Sequence, residues 1–303
     1  MVLFQGILFS NFRVFSSMAK QFRRPTWLKT PLPSGSRFLK LKSLTRRYRL
    51  NTVCESASCP NVGKCWNTGT LTIMILGDIC TRACRFCDVT TGKPVNPRPE
   101  EPLETAIVLS QLDLNYAVVT SVDRDDLPDG GATHWARTLR EIRRLCPGLK
   151  LEALIPDFRG DSKAMNKVFR ERPDVLSHNI ESVPSLQAIV RPQCRYEWSL
   201  ETIKKAHQYG LVVKSGIMLG HGETRIEVEQ TLRDLVDAGC QILSIGQYLQ
   251  PSLTHLPVVE FIPPETFLEY KKFGESLGFA HVESGPLVRS SFKADEQARL
   301  AGI

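Results

Sequence analysis

Short apolar runs alternate with amphipathic stretches along most of this chain. Runs such as LTIMIL and YAVVTSV are rich in β-branched residues and have the length of buried strands, whereas the stretches between them carry apolar residues at helical spacing. The pattern predicts strands over residues 71–76, 116–122, 150–155, 175–179, 211–219 and 242–249, with a short strand over 280–283. It predicts helices over residues 102–112, 133–145, 162–170, 184–190, 200–209, 225–238 and 264–277.

The alternation of strands and helices predicts an α/β fold. Such βαβ units build a parallel sheet that is covered by helices. About six units fall short of the eight that close a barrel, so we expect an open, partial (βα)6 parallel barrel over residues 71–285. A basic N-terminal arm over 1–50, a cysteine loop over 51–70 and a polar C-terminal tail over 286–303 complete the expected domains. No apolar run approaches the roughly 20 residues that cross a bilayer, so no membrane partner is expected.

The positive charge of the chain is concentrated at its N-terminus. Residues 1–50 contain 11 Lys and Arg and no acidic residue, whereas the rest of the chain carries 28 of the 39 basic residues against all 32 acidic ones. Pro25, Pro31 and Pro33 interrupt the basic stretch, which predicts an extended arm along the body. No zinc-finger or RNA-binding motif follows it, so we expect a solvated or partner-docking arm and no nucleic-acid partner.

The first 17 residues are expected to lie outside the fold. They are apolar, contain serine and lack acidic residues, as an organellar transit segment does, but they also lack several arginines. Met18 begins a sequence that is typical of a natural start. We therefore expect a cytoplasmic protein, with the stroma or matrix of an organelle as the alternative.

Six of the nine cysteines fall in two triplets within residues 54–87, with the spacings C-x4-C-x5-C and C-x3-C-x2-C. Such dense clusters in a long chain favour metal in a reducing compartment over disulfides. The first triplet is expected on a loop, and the second on the loop leaving the strand over 71–76, where parallel barrels assemble their chemistry. The triplets are Cys54, Cys59 and Cys65, and Cys80, Cys84 and Cys87; the dispersed Cys146, Cys194 and Cys240 are expected to be buried small hydrophobes.

Each triplet is one ligand short of a usual [4Fe–4S] cluster. The spacing of the second triplet fits neither the paired C-x2-C of zinc sites nor the run that bacterial ferredoxins use. With no fourth cysteine nearby, one iron is left open and can bind a small molecule through its amine and carboxylate. That arrangement is typical of catalysis rather than of electron relay alone.

The second triplet, CTRACRFC with Phe86 before its last cysteine, resembles the motif of the radical S-adenosylmethionine superfamily. The resemblance implies a partial barrel and a cluster, held by Cys80, Cys84 and Cys87, whose open iron chelates the methionine part of S-adenosylmethionine. In that superfamily the cofactor is cleaved to a 5′-deoxyadenosyl radical, which abstracts hydrogen from an unactivated carbon.

The chain as a whole is similar to the lipoyl synthase family. The similar segments cover most of residues 51–295 and include the first triplet, GDICTRACRFCDV, TSVDRDDLPDGGA, HNIESV, RPQCRYEWSL, KSGIMLGHGE, GQYLQPSLTHLPV and GPLVRSSF. This resemblance implies an enzyme, a sulfurtransferase that inserts two sulfur atoms at C6 and C8 of an octanoyl chain attached to a carrier lysine.

The family resemblance also implies what completes the first triplet. An auxiliary [4Fe–4S] cluster, consumed as the sulfur donor, would be held by Cys54, Cys59 and Cys65 and by a serine of an Arg-Ser-Ser-Tyr motif. That serine is assigned to Ser291, with Ser290 as the alternative. A hydroxyl is a labile iron ligand beside thiolate, which suits a cluster that gives up sulfide. Phe292 stands where the family has tyrosine, and we do not expect this departure to abolish activity.

The expected partners follow from the same resemblance. They are octanoylated lipoyl carrier domains, such as the glycine-cleavage carrier protein or the acyltransferase subunit of an oxo-acid dehydrogenase. An electron donor such as ferredoxin or flavodoxin and an iron–sulfur carrier are also implied. The preferred carrier, the reductant and the means of rebuilding the second cluster stay open.

Four further residues are candidates for the cofactor pocket. Asn179 and Glu181 lie just beyond a predicted strand end, where cofactor contacts are expected. Gly216 permits close backbone approach, although a strand glycine is often only a packing device. Arg191 is a candidate contact for the cofactor carboxylate.

Three other functions compete with this interpretation. Another sulfur-inserting radical enzyme, of the biotin synthase or methylthiotransferase kind, fits the second triplet but neither the first triplet nor the RSS sequence. A two-cluster electron carrier would need four-cysteine clusters. A zinc-stabilised nucleic-acid-binding module is the third alternative.

Overall fold

The computed structural model describes residues 24–30, 33–68, 70–112 and 114–303. Residues 1–17, which were expected to lie outside the fold, and the rest of the arm before position 24 are outside the described residues. No helix among the described residues is long and apolar enough to cross a membrane.

The strands of the described residues form one eight-stranded sheet in which the order along the sheet follows the order along the chain. β2 to β8 are all parallel to their neighbours, with Ile73 opposite Val119 and Gly216 opposite Ser244, whereas β1 joins the edge antiparallel to β2. Since β1 and β8 end the order, the sheet is the open partial barrel that the six predicted β-α units indicated. The strands are β1 Asn51–Thr52, β2 Thr72–Ile75, β3 Tyr116–Ser121, β4 Lys150–Leu154, β5 Val175–Ser177, β6 Val213–Leu219, β7 Ile242–Gln247 and β8 His281–Ser284.

Helices connect these strands at the places predicted from helical periodicity. Local sequence fixes their ends: Thr224 and Glu227 form a reciprocal capping box at the start of α9, and Gly278, in the left-handed region, ends α10. The helices are α1 Ser36–Arg47, α2 Val53–Ser56, α3 Val62–Thr68, α4 Glu101–Ser110, α5 Ala132–Leu145, α6 Ser162–Phe169, α7 Gln187–Val190, α8 Tyr196–Gln208, α9 Arg225–Asp237, α10 Pro264–Leu277 and α11 Ala294–Leu300, with 3-10 turns at Thr26–Leu28, Phe158–Gly160 and Pro184–Leu186.

The two faces of the sheet differ in character. Large apolar residues such as Val119, Leu151 and Ile245 belong to the main core shared with the helices. The alternate residues, among them Thr120 and Gly246, line an internal cavity. Because successive side chains point to opposite faces, much of the apolar packing lies outside the barrel, and the space within is bordered in part by small residues.

Two expectations for the N-terminal part of the chain were wrong. Within the arm that was expected to be extended, residues 36–47 form helix α1, which buries Phe38 and Leu41 and stacks the Phe38 ring on Trp66 with 5.0 Å between centroids. The loop expected for the first cysteine triplet contains two short helices, α2 with Cys54 and α3 with Cys65. The prolines end before α1 begins, and the burial of one apolar stripe outweighs the charge of its exposed face.

The polar C-terminal tail also contains a helix. In α11, Ala294 and Ala298 are buried against Tyr116 and Val118 of β3. The side chain of Gln297 lies within the barrel too, 3.3 Å from the Ser244 hydroxyl. α11 therefore packs on the inward face of the sheet, and it anchors the residues that precede it.

Candidate active site

A cavity of about 560 Å³ lies within the barrel, at the carboxyl ends of the parallel strands. Both cysteine triplets contribute to its wall, and so do β6 itself and the loops that follow β3, β4, β5 and β7. Every residue that the sequence predicted for the site lines this one cavity: Cys54, Cys59, Cys65, Cys80, Cys84, Cys87, Asn179, Glu181, Arg191, Gly216 and Ser291.

Arg82 anchors the loop of the second triplet to the barrel. Its buried guanidinium forms paired hydrogen bonds with Asp157, at 2.7 and 2.9 Å, and with Asp125, at 2.8 and 3.0 Å. Asp123 lies 3.3 Å from the same group. Paired guanidinium–carboxylate contacts fix orientation as well as distance, so the ends of β3 and β4 hold this loop in place.

Backbone contacts complete the frame of the second triplet. The Thr81 amide donates to Asp123 O at 3.0 Å, and the Cys80 sulfur accepts from the Asp123 amide at 3.3 Å. On the other side, the His255 Nε2 lies 3.0 Å from the carbonyl oxygen of Cys87. The loop is thus held from two directions, with its cysteines turned to the cavity.

The first triplet is held by short helices and by the C-terminal tail. Thr52 caps α2, where its hydroxyl accepts from the Glu55 amide at 3.3 Å, and this positions Cys54 in the first turn. The Asn61 side chain donates to the Leu287 carbonyl at 2.6 Å. Ser58 donates to Asp88 at 2.5 Å and so joins the loops of the two triplets.

The proposed cofactor residues form one wall of the cavity. The Asn179 amide donates to Glu181 at 2.9 Å, and a Cβ at Gly216 would lie 2.9 Å from Asn179 Oδ1. Glu181 has a φ of 67°, a conformation that side chains rarely adopt and that concentrates at functional sites. Arg191 donates to the Asn179 carbonyl at 3.2 Å, while its Nε is buried without a hydrogen-bond partner among the described residues. The glycine gap and the unpartnered Nε fit a pocket for a ligand that carries a carboxylate.

The C-terminal tail closes the remaining side. A Cβ at Gly246 would lie 2.1 Å from the Val288 carbonyl oxygen, so only glycine at this position of β7 admits the tail backbone. Ser290 and Ser291 line the cavity beyond this contact. The Ser290 hydroxyl donates to Asn179 Oδ1 at 3.1 Å, and Lys64 lies over the Phe292 ring, 5.2 Å from its centroid.

The thiols of both triplets are the donor set that iron requires. Burial and then the neighbouring Cys59 raise the pKa of Cys54 to about 11, and the same causes raise the pKa of Cys65 to about 12. Burial and then the Asp123 carboxylate raise the pKa of Cys80 to about 12. Grouped thiols of this kind lose their protons when a metal binds.

No three Cys, His, Asp or Glu side chains of the described part of the chain converge closely enough to hold a single metal ion. A cubane distributes its cysteines over separate irons, so its ligands do not need to converge on one point. The three thiols that each triplet presents to the cavity are the usual protein ligands of such a cluster, so the residues present fit it.

Sequence reasoning missed the residues that position the site. Arg82 lies inside the recognised motif, but its partner Asp157 is 75 residues away. The sequence marked Gly246 only as a glycine within a predicted strand. Cys194 is buried as expected, yet its sulfur accepts a hydrogen bond from Arg82 at 3.2 Å, so it contacts the site rather than an apolar core.

Comparison with known proteins decides between the alternatives. Residues 11–59 match the family model described as the N-terminal domain of lipoyl synthase of the radical SAM family, and residues 74–235 match the radical SAM superfamily model. The lipoyl synthase of Chlorobaculum parvum is 52% identical over 275 residues, which cover 90% of this chain and 94% of that protein.

The chain belongs to the lipoyl synthase family.

Other lipoyl synthases agree with this assignment. The enzyme of Flavobacterium johnsoniae is 52% identical over 90% of this chain and 95% of its own length, and that of Thermus thermophilus is 50% identical over 90% and 85%. Membership of the family rules out the zinc module and the electron carrier, and it separates the chain from other sulfur-inserting radical enzymes.

Solved structures support the fold. Streptococcus suis SuiB bound to S-adenosylmethionine superposes with a TM-score of 0.53 at 9% identity over 72% of this chain, and the coproporphyrinogen III oxidase HemN of Escherichia coli with 0.50 at 15% over 69%. The chain spans about half the length of these structures, 50% and 53%. The barrel of this chain therefore has the same fold as the barrels of these structures.

Proposed function

We propose that this chain inserts two sulfur atoms, at C6 and C8, into an octanoyl chain carried on a lysine of a lipoyl carrier domain. The observation that carries the proposal is the single cavity that brings both cysteine triplets, the tail serines and the cofactor wall together. The cofactors are S-adenosylmethionine and two [4Fe–4S] clusters, in agreement with the family.

Each set of ligands has a distinct role in the proposal. Cys80, Cys84 and Cys87 hold one cluster; Cys54, Cys59, Cys65 and Ser291 hold the other. When bound, the first supplies the electron that cleaves S-adenosylmethionine and the second supplies sulfur. The Ser290 hydroxyl is engaged with Asn179, which supports Ser291 as the ligand of the pair.

The cofactor wall binds and orients S-adenosylmethionine. Arg191 offers to the carboxylate of the methionine part its Nε, which has no hydrogen-bond partner in the described part of the chain, and beside it the Asn179 amide donates to Glu181. The missing side chain at Gly216 leaves room for Asn179 in this position. Burial raises the pKa of Glu181 because it disfavours the charged carboxylate. A cation bound close to this carboxyl would act in the opposite direction and favour the charged form.

We assign the working parts of the chain as the basic arm over 1–50, the auxiliary-cluster segment over 51–70, the barrel over 71–285 and the tail over 286–303. The exposed basic side chains of α1, among them Lys40, Arg46 and Arg47, form a surface for an acidic carrier domain. Candidate carriers are the glycine-cleavage carrier protein and the acyltransferase subunit of an oxo-acid dehydrogenase.

The remaining partners follow from the chemistry. Cleavage of the cofactor needs an electron donor such as ferredoxin or flavodoxin, and consumption of one cluster needs an iron–sulfur carrier to rebuild it. A reducing compartment such as the cytoplasm, where thiols stay reduced, suits both steps.

The test is an anaerobic incubation of reconstituted protein with S-adenosylmethionine, a strong reductant and an octanoyl-lysyl peptide, followed by mass spectrometry. We expect the peptide to gain two sulfur atoms and 5′-deoxyadenosine to accumulate. Ser291→Ala is expected to abolish the sulfur gain and to leave cofactor cleavage in place.

Ser284→Ala is the matched control, because the Ser284 hydroxyl bonds to the Phe267 carbonyl at 2.7 Å and does not line the cavity. This variant should form the same product as the wild type. Cofactor cleavage with an unchanged peptide would reject the substrate, and no cleavage by protein with both clusters loaded would reject the radical chemistry.

A further inference from the structure

The tail and the cofactor wall are joined through a single amide. The Asn179 side chain accepts a hydrogen bond from the Ser290 hydroxyl at 3.1 Å and donates one to Glu181 at 2.9 Å. One polar end of Asn179 is thus bound to the tail, and the other is bound to a residue of the proposed cofactor pocket.

Asn179 is held in place on its remaining sides. The bare Cα of Gly216 lies against its side-chain oxygen, and Arg191 donates to its main-chain carbonyl at 3.2 Å. A side chain confined in this way has few alternative positions, so its orientation depends on which partners satisfy its amide. Without the Ser290 hydroxyl, the oxygen end of the amide loses the donor that sets this orientation.

Other contacts dock the tail without reaching the cofactor wall. The Pro286 carbonyl accepts from the Gln247 amide at 3.3 Å, and the Leu287 carbonyl accepts from Asn61 at 2.6 Å. Downstream, and within the tail itself, the Phe292 carbonyl accepts from Gln297 of α11 at 2.6 Å, and α11 is packed against β3. These contacts act on the main chain before and after Ser290, which places the Ser290 hydroxyl between two fixed points and against Asn179.

Electrostatics join the same two regions. The half-buried Arg289 side chain is close enough to Cys59 and to Glu181, one residue from each side of the cavity, for its charge to act on both. Displacement of the tail would remove this cation from Glu181 at the same time as it removes the hydroxyl from Asn179. The cofactor wall therefore has one charge arrangement with the tail docked and a different one with the tail displaced.

We propose that Ser290 is a positioning residue that couples docking of the C-terminal tail to binding of S-adenosylmethionine. This inference rests on the proposed function. Coupling between two sites is reciprocal, so bound S-adenosylmethionine stabilises the docked tail, and a displaced tail weakens cofactor binding. A chain whose tail is displaced from the first cysteine triplet would thus bind S-adenosylmethionine weakly until the tail docks again.

The test measures coupling directly on reconstituted protein that carries both clusters. Hydrogen–deuterium exchange of residues 286–303 is compared with and without S-adenosylmethionine under anaerobic conditions, and the dissociation constant is measured by calorimetry. In the wild type we expect the cofactor to slow exchange in the tail. In Ser290→Ala we expect this protection to disappear and cofactor binding to weaken about 3- to 10-fold, the effect of one hydrogen bond.

Three further variants control the experiment. Ser284→Ala removes a serine hydroxyl just before the tail and should keep the wild-type coupling. Ser290→Thr restores a hydroxyl and should recover part of the lost protection. When Asn179 is already alanine, Ser290→Ala should weaken cofactor binding no further, as a double-mutant cycle requires of two directly interacting residues.

The possible results separate this inference from the proposed function. If the wild type neither binds nor cleaves S-adenosylmethionine, the proposed function fails. If the wild type does both and Ser290→Ala retains wild-type affinity and tail protection, only the coupling is overturned. Loss of auxiliary-cluster iron in Ser290→Ala, to the extent seen in Ser291→Ala, would make Ser290 a ligand and would also overturn the inference.

Discussion

The two cysteine-bearing walls of the cavity are held by different kinds of interaction. On the wall of the second triplet, buried Arg82 binds the carboxylates of Asp125 and Asp157. The wall of the first triplet is held by short helices, by the hydrogen bond from the Asn61 side chain to the Leu287 carbonyl, and by the contact of Lys64 with the Phe292 ring. One wall is fixed by paired charges, and the other is fixed mainly by neutral contacts.

This difference suits what each wall is proposed to do. Opening a buried ion network leaves charges without partners and costs several kcal/mol, so the second triplet keeps one geometry. A neutral hydrogen bond contributes only about 1 kcal/mol, so the fastenings of the tail can be released one after another. We infer that the wall of the second triplet keeps its structure through the reaction. The wall of the first triplet, in contrast, is dismantled and rebuilt.

The largest effect is expected from Arg82→Met. The substitution leaves Asp157, which is fully buried, without its cation, and removing one partner of a buried pair typically costs about 3–5 kcal/mol. We expect a lower melting temperature and loss of the second-triplet cluster, with iron falling from about eight to about four atoms per chain. Arg85→Met, on the exposed part of the same loop, is the control and should keep its iron. Full iron loading in Arg82→Met would contradict the claim that paired charges hold the second triplet in place.

Gly246→Ala tests the other wall. The new Cβ would meet the Val288 carbonyl oxygen at 2.1 Å, and main chain cannot move aside as a flexible side chain can. We expect the tail to be displaced, sulfur insertion to be lost, and cofactor cleavage to persist at saturating S-adenosylmethionine. Gly148→Ala is the matched control, because its Cβ would meet nothing within 4 Å. Peptide mass spectrometry and 5′-deoxyadenosine measurements report the two activities separately.

Ser291→Cys should make the auxiliary cluster on the wall of the first triplet harder to dismantle. A thiolate binds iron more firmly than a hydroxyl does, so the auxiliary cluster should resist chelators longer than in the wild type. We expect sulfur insertion to slow by roughly tenfold, equivalent to about 1.4 kcal/mol, while cofactor cleavage is unchanged. Equal rates of iron loss in the two proteins would show that Ser291 is not a ligand.

The smallest effect is expected from Phe292→Tyr, which restores the residue found in the family. The aromatic ring that faces Lys64 is kept, and the half-buried position leaves a new hydroxyl access to water. We expect sulfur insertion to change less than about twofold, which is below 0.5 kcal/mol. A large gain in rate would mean that Phe292 limits the rate of sulfur insertion.

Much of the fold was predictable because its strands and helices are long and regular. Helix α1 could have been found, since Phe38, Leu41 and Leu44 recur every three residues, but the prolines before it and its dense charge favoured an extended arm. The helices that carry Cys54 and Cys65 have four and seven residues, too few for periodicity to show. Tail helix α11 was missed because its buried stripe consists of two alanines and Gln297, which give no strongly apolar periodicity.

The residues that line the cavity were partly predictable, but the residues that support them were not. Spacing and resemblance predicted the cysteines and Ser291 as ligands because these residues are close in sequence or belong to a recognisable motif, and the structure places all of them on one cavity. Arg82 with Asp157, and Gly246 with Val288, meet only after the chain has folded. No local pattern specifies such pairs, which depend on the register of the parallel sheet.

The division of the sheet into an apolar outer face and a small-residue inner face has a consequence for how this protein can diverge. Stability depends mainly on residues such as Val119 and Leu151, which never reach the cavity, whereas Thr120, Ser244 and Gly216 face inward and contribute little packing. Changes at inner positions such as Thr120 can therefore accumulate with modest cost to folding, whereas Gly216 and Gly246, which admit a neighbouring group, are constrained. A scaffold of this kind can acquire new substrates by altering its lining while its outer shell remains under separate selection for stability.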